Sequence, residues 1–489
     1  MRKSFDAILF YVLTAFLPLI LAVVTVPHLI STLGIEKFGY LSLIWVLIGY
    51  FSIFDLGLGR VLTREVSVCL AKGHDFQIYG TVRSILSLMS GLALIGAVSV
   101  ILISFTNVYR LLNVADKDIA DVTAAIRWLA LGVPAVIFFS AARGLLEAFG
   151  YFKLAASLRA IVGGWAFAGP AVAAAYVPSL SFAVFAISII RFAILIIPVA
   201  VLYRHFRNHG YFAGERWVSP TGALRMAGWM TVSNTVSPLM VYFDRFIVSS
   251  ISGPASVAYY STPYDIISRI SIVPEAIFSV IFPKSAREHA TNESFQKKTH
   301  LVCELILGVF MALVSAGVIM FGEQILALWV GQAFADKSWQ ILIILSGGLV
   351  FNFISRASFN TLQAAGHVRS TATVHLIELP VYLIVLYALI HWYGLLGVAY
   401  AWAIRACLDM LLLRNFLSHK VSADLRRPFV DIAAIIFFAM AVAGSMLENP
   451  IWRMALGGLA GCLVCAVGVA AARRLALWPA ISAKREILT

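Results

Sequence analysis

FDLGLGRVLTREV, residues 54–66, ends a long apolar run with Asp55, Arg60, Arg64 and Glu65 and sets Gly57 and Gly59 among them. Charges at the end of an apolar stretch of span length mark the point where a helix leaves hydrocarbon. Residues 38–66 therefore read as one membrane helix. Arg60 and Arg64 lie one turn apart on the same face, and the glycines permit a bend or a close helix approach.

The rest of the chain agrees with this reading. Of 489 residues, 61% are hydrophobic and only 12% are charged, whereas soluble domains carry about 25% charge. Mean hydropathy is +0.91. Fourteen apolar segments reach the length needed to cross a bilayer: 7–31, 38–66, 82–106, 123–149, 154–177, 180–203, 222–250, 256–283, 299–322, 338–364, 369–390, 395–417, 428–447 and 451–472. The chain is expected to be an all-α polytopic membrane protein. Arg2 and Lys3 precede a hydrophobic run too long for the core of a secretory signal, so that run is kept as the first helix.

Basic residues set the orientation. Arg204, Arg207, Arg216, Lys284, Arg287, Lys297 and Lys298 cluster in loops on one side. Lys37, Arg110, Lys117, Lys337 and Arg453 are the basic residues of the other side, where Asp116, Asp118, Asp121, Glu323, Asp336 and Glu448 also lie. The positive-inside rule then puts both termini in the cytoplasm. The net charge of +13 reflects this topology, and nucleic acid is not expected as a partner. Cys69, Cys303, Cys407, Cys462 and Cys465 sit in or beside spans, which argues against a disulfide framework. The CxxC at 462–465 has no His or second CxxC nearby to complete a metal site.

The sequence also repeats. LEAFGYFK (146–153) parallels LQAAGHVR (362–369), and Ile190-Arg191 parallels Ile404-Arg405. The order is conserved and the offset drifts only slightly, as expected of a duplication. Each copy holds six spans, so the copies share an orientation and are expected to be related by an axis along the membrane normal. The expected organisation is an N-terminal six-helix lobe (1–210), a C-terminal six-helix lobe (211–420), and a segment, 421–489, holding helices 13–14 and a cytoplasmic tail.

LGIEKFGYLSLIWVLIGYFSIFDLGLGRVLTREV (33–66), the proline-bearing first helix, the LxAxGxxK/R endings of helices 4 and 10 and the six-plus-six repeat resemble the polysaccharide-biosynthesis (Wzx-type) flippases of the multidrug/oligosaccharidyl-lipid/polysaccharide exporter superfamily. The resemblance covers essentially the whole chain. It implies transfer of an undecaprenyl-diphosphate-linked oligosaccharide repeat unit from the cytoplasmic to the periplasmic leaflet of a bacterial inner membrane. The implied cavity lies between the lobes and alternates its access. Other implied partners are membrane lipid, a polysaccharide polymerase and a chain-length protein.

An ionisable group near the centre of a span costs at least about 2.5–3.5 kcal/mol, so it faces a partner or a wet cavity. Arg191, Arg245, Arg269, Arg356 and Arg405 qualify by depth, as do Asp55, Asp244, Asp265, Glu275, Glu378 and Asp409. Arginine grips diphosphate oxygens in bidentate fashion and stays charged. These five arginines, with Arg60 and Arg64, are the candidates for the anion path; Tyr242, Tyr264 and Asn234 are candidates for the sugar. Asp55, Asp244, Asp265, Glu275 and Glu378 are candidates for a coupling proton or sodium ion. Each has a plainer reading. Arg60 and Arg64 can snorkel to lipid phosphates. Asp265 and Arg269 can neutralise each other at i,i+4. Arg191 and Arg405 can tie their own lobes together, and His28 and His375 can be hydrogen-bonded interior histidines.

A drug or small-cation antiporter of the same architecture, coupled to protons or sodium, is the nearest rival, although its cavity is expected to be net acidic. A peptidoglycan-precursor flippase shares the diphosphate and polyprenyl chemistry. A glycosyltransferase or polymerase would need a large extramembrane loop with acids or metal ligands, and the connections are short. No GxxxxGK[ST] is present. A transporter that is not an enzyme and carries no cofactor is expected.

Overall fold

The computed structural model describes residues 2–51, 55, 57–214, 243–274, 277–278, 293–365, 367–421 and 428–474. All regular structure among them is helical. Ten helices among the described residues are long and apolar enough to cross a membrane. The chain divides into two compact units, Met1–Ala258 and Tyr259–Thr489.

In the first unit α1 (Arg2–Leu33) packs on α7 (Phe152–Tyr176). The approach is close because Gly163 and Gly164 have no side chains. A Cβ on Gly163 would lie 3.0 Å from Pro18 Cγ, and one on Gly164 would lie 2.6 Å from Leu21 Cδ1. Small residues at such contacts are how membrane helices gain packing where hydrocarbon offers no hydrophobic drive. The centre of the unit is α6 (Ile119–Ala148), which packs against α3 (Leu58–Lys72), α4 (Asp75–Ser104) and α8 (Leu180–Asn208). The half-buried Trp165 donates from Nε1 to Ala186 O at 3.0 Å and joins α7 to α8. On the outward faces Leu94, Ile95, Leu102, Ile196 and Val199 are exposed, as lipid-facing residues must be.

The expected continuous helix 38–66 is instead two helices. α2 (Ile35–Tyr50) ends, and α3 restarts at Leu58 after Gly57 takes φ +73°, a left-handed conformation that favours glycine. The short helix α5 (Val108–Leu111) leads into α6 at the other end of the unit. There Lys37 Nζ meets Asp121 at 2.8 Å, and Asp121 also accepts from the Leu180 and Ser181 amides and so caps α8. The helix 243–252, α9, is followed by α10 (Pro254–Ser268), and Ser249 Oγ anchors α9 by donating to Leu112 O at 2.9 Å.

In the second unit α12 (Gln332–Ala364) is the central helix, with 89% of its most apolar window buried. Around it stand α11 (Glu293–Val330), α13 (Val368–Lys420), α14 (Pro428–Met446) and α15 (Pro450–Arg474). The 53-residue α13 holds both expected spans, 369–390 and 395–417, and turns between them at Gly394 (φ 57°, ψ −136°). His375 meets Asp409, Tyr382 meets Arg405, and a Cβ on Gly397 would strike the Leu389 carbonyl. Those pairings run in opposite directions along the chain, so α13 is an antiparallel hairpin. α14 and α15, outside the repeat, pack on α11 and α12 through Gly347, Gly444 and Gly457.

Candidate functional site

The opening stretch resolves into a helix break. Asp55 is buried; its Oδ1 accepts from the Gly57 amide at 2.6 Å and its Oδ2 from Ser140 Oγ of α6 at 2.8 Å. Gly59 and Gly144 let α3 and α6 touch backbone to side chain, since a Cβ on Gly144 would lie 2.8 Å from Gly59 O. This arrangement fixes the direction of Arg60 and Arg64, whose side chains are exposed. Arg64 Nη1 lies 2.6 Å from its neighbour Glu65, which offsets part of its charge. Two guanidiniums are thus presented one turn apart on α3 (Leu58–Lys72).

Arg191 on α8 differs from these. It is 8% exposed, and its Nε and Nη1 have no hydrogen-bond partner among the described residues. A guanidinium cannot shed its charge, so a buried one with open donors is costly until an anion or water meets it.

Its repeat counterpart, Arg405, sits in a very different place. The hairpin α13 gathers His375 and Glu378 on its first arm and Arg405 and Asp409 on its second. His375 Nδ1 lies 3.5 Å from Glu378 Oε2 and 3.9 Å from Asp409 Oδ1, and one donor atom from each of the three residues falls within 4.8 Å of the others. Arg405 stacks on Tyr382 at 5.6 Å and Trp402 at 5.7 Å, and Trp402 in turn meets Tyr264 edge-on at 5.5 Å. A cavity of about 10 Å³ lies beside Glu378, Tyr382 and Arg405, about the space of one water.

The remaining expected residues are dispersed. Asp244 and Arg245 are both buried on α9, adjacent in sequence and so on different faces. Asp265 is half-buried near the end of α10, and Arg269 is exposed in the 3-10 turn that follows. Arg356 is half-buried on α12, and His28 is exposed on α1 with Thr32 Oγ1 3.5 Å from its Nδ1. Tyr242, Asn234 and Glu275 lie outside the described residues. Cys462 and Cys465 are exposed free thiols.

Sequence reasoning missed one deeply buried ion group. Arg414, near the end of α13, pairs with Glu304 of α11 and Asp431 of α14, and both Arg414 and Glu304 are almost fully buried. An acid inside the span 299–322 was the available signal. Arg453 and Glu323, placed in external loops by sequence, pair with each other, and Arg453 lies 4.2 Å over the Trp339 ring.

Similarity to solved proteins places this architecture. The fold matches the lipid II flippase MurJ in an inward closed conformation, with a TM-score of 0.70 and 15% identity over 96% of this chain and 99% of that one. It also matches an inward-facing multidrug resistance MATE family transporter of the MOP superfamily, with a TM-score of 0.69 and 15% identity over 83% and 95%. The fold is therefore the polytopic helical fold that these two solved transporters share.

Residues 5–289 match the polysaccharide biosynthesis protein family model. A Shigella flexneri protein named as an O-antigen transporter is 32% identical over 401 residues, covering 81% of this chain and 94% of that protein. The chain belongs to the polysaccharide biosynthesis protein family.

Proposed function

We propose that the protein is a flippase that moves an undecaprenyl-diphosphate-linked oligosaccharide repeat unit from the cytoplasmic to the periplasmic leaflet of a bacterial inner membrane by alternating access. The likeness to the O-antigen transporter, which spans nearly all of that protein, carries this reading. Buried Arg191 supports it, because its Nε and Nη1 have no hydrogen-bond partner among the described residues and a diphosphate is the kind of anion such donors bind.

In this reading the six-helix lobes 1–210 and 211–420 are the alternating elements and both termini are cytoplasmic. The headgroup crosses while the polyprenyl tail stays in lipid, so desolvation of the headgroup is the barrier. Arg60 and Arg64 receive the diphosphate and Arg191 holds it further in. Arg245, Arg269, Arg356 and Arg405 are further candidates along the path. Tyr264, with Tyr242 and Asn234, offers ring faces and hydrogen bonds to sugar. A polymerase and a chain-length protein draw off the product.

The test is a proteoliposome assay in which an undecaprenyl-diphosphate oligosaccharide is attacked by a glycosidase from outside only. Wild type should expose the inner-leaflet pool. Arg60→Ala and Arg191→Met, folded, should slow exposure by about tenfold or more, the equivalent of one charge-assisted hydrogen bond. Equal exposure with and without protein overturns the reading.

A further inference from the structure

The duplicated halves differ in one chemical respect. At the drift of the repeat, the counterparts of Glu378 fall within 162–164 (Val, Gly, Gly) and those of Asp409 within 193–195 (Ala, Ile, Leu). α7 and α8 contain no carboxylate at all, yet both halves keep the arginine, as Arg191 and Arg405. The second half has added two acids and a histidine around its copy.

The added groups do not neutralise one another. With His375 neutral, one guanidinium faces two carboxylates, which leaves one negative charge inside an apolar hairpin. Glu378 is 2% exposed and Asp409 6%. Both Glu378 oxygens, Asp409 Oδ1, His375 Nδ1 and Arg405 Nε have no hydrogen-bond partner among the described residues. Among the described residues, the groups facing the cluster from packed elements are Tyr382 on the same arm, Tyr264 of α10 near Arg405, and the Phe359 ring of α12, 6.0 Å from His375. None of these supplies a positive charge. Among the described residues the site is therefore one cation short, and a buried charge of this kind is expensive unless it is met.

We propose that His375, Glu378 and Asp409 form a proton-binding site, which takes up one proton per chain and shares it among the three groups, with Arg405 as the fixed countercharge. A proton fits better than an alkali ion. Hard cations need several oxygen ligands, imidazole is a poor donor to them, and Arg405 repels any ion that enters. With one donor atom from each residue within 4.8 Å of the others, the proton belongs to the cluster rather than to one residue.

The test uses full-length protein in lipid nanodiscs and needs no lipid-linked substrate, so it stands or falls apart from the flippase assay. Infrared difference spectra between alkaline and acidic buffer should show a buried carboxylic-acid carbonyl band. Glu378→Gln or Asp409→Asn should remove it or cut it by half or more, and replacing potassium with sodium should leave it unchanged. His375→Gln, which keeps both acids, should move the midpoint of the band by about one pH unit or more. A band unaltered in folded Glu378→Gln and Asp409→Asn overturns the proposal. So does a band that sodium alone abolishes, or a midpoint unmoved by His375→Gln.

Discussion

Ser140 Oγ donates to Asp55 Oδ2 at 2.8 Å and so ties the break between α2 and α3 to the middle of α6. Because the other Asp55 oxygen holds the Gly57 amide, one buried side chain both closes the turn before the restarted helix and fixes it to its neighbour. Asp55→Ala leaves that amide and the Ser140 hydroxyl without their partner. We expect a loss of about 1–3 kcal/mol, and a smaller loss of about 1 kcal/mol for Ser140→Ala. Thermal unfolding of the purified protein in detergent checks both, and equal, negligible shifts would show that this tie is dispensable.

The contact of α3 with α6 predicts a contrast between glycines. Gly144→Ala places a methyl 2.8 Å from the Gly59 carbonyl, and should destabilise by about 1–3 kcal/mol as an overpacked interface. Gly91→Ala on α4 meets nothing within 4 Å and should be neutral or slightly stabilising. Melting temperatures of the two variants, measured side by side, decide the matter.

Arg414 binds three helices of the second unit through Glu304 and Asp431. Arg414→Ala strands two carboxylates in a buried site and should cost roughly 3–5 kcal/mol. Replacing all three with apolar residues of similar volume should recover most of the loss, since the unpaired charges then disappear. Folded yield and thermal stability report the difference, and a triple variant no better than Arg414→Ala would contradict this account.

Arg453 contributes both a pair with Glu323 and a cation–π contact with Trp339. Arg453→Ala should lower stability by about 1–3 kcal/mol. Arg453→Lys, which keeps the charge but loses the planar fork, should fall between wild type and Arg453→Ala. Thermal scans of the three proteins rank them.

The helices were legible because hydrocarbon acts on local composition. A span needs about 20 apolar residues wherever it occurs, and α4, α6, α7, α8, α11 and α12 lie where the apolar runs predict them. Residues 38–66 failed as one helix for a local reason that hydropathy does not register. The backbone turns left-handed at Gly57 and Asp55 takes the freed amide, whereas an apolar count treats both glycines as helix.

Charge pairing was legible only in part. Sequence marked Glu378, Arg405, Asp409 and His375 as separate buried groups, some 30 positions apart at the extremes. It gave no means to bring them together, because their meeting depends on the register of two arms folded at Gly394. Arg414 escaped notice for the same reason, since its partners sit on α11 and α14.

From sequence alone came the all-α membrane-spanning class and the parallel placing of Arg191 and Arg405 in their Ile-Arg pairs. These follow from solvation costs paid residue by residue and from order along the chain. Only the tertiary structure decided that, among the described residues, Arg191 keeps open donors with no acid beside it while Arg405 faces two carboxylates and an imidazole. Coulomb interaction and hydrogen bonding depend on distances of a few ångströms between helices, and those distances are set by helix rotation and packing, which no single stretch of sequence contains.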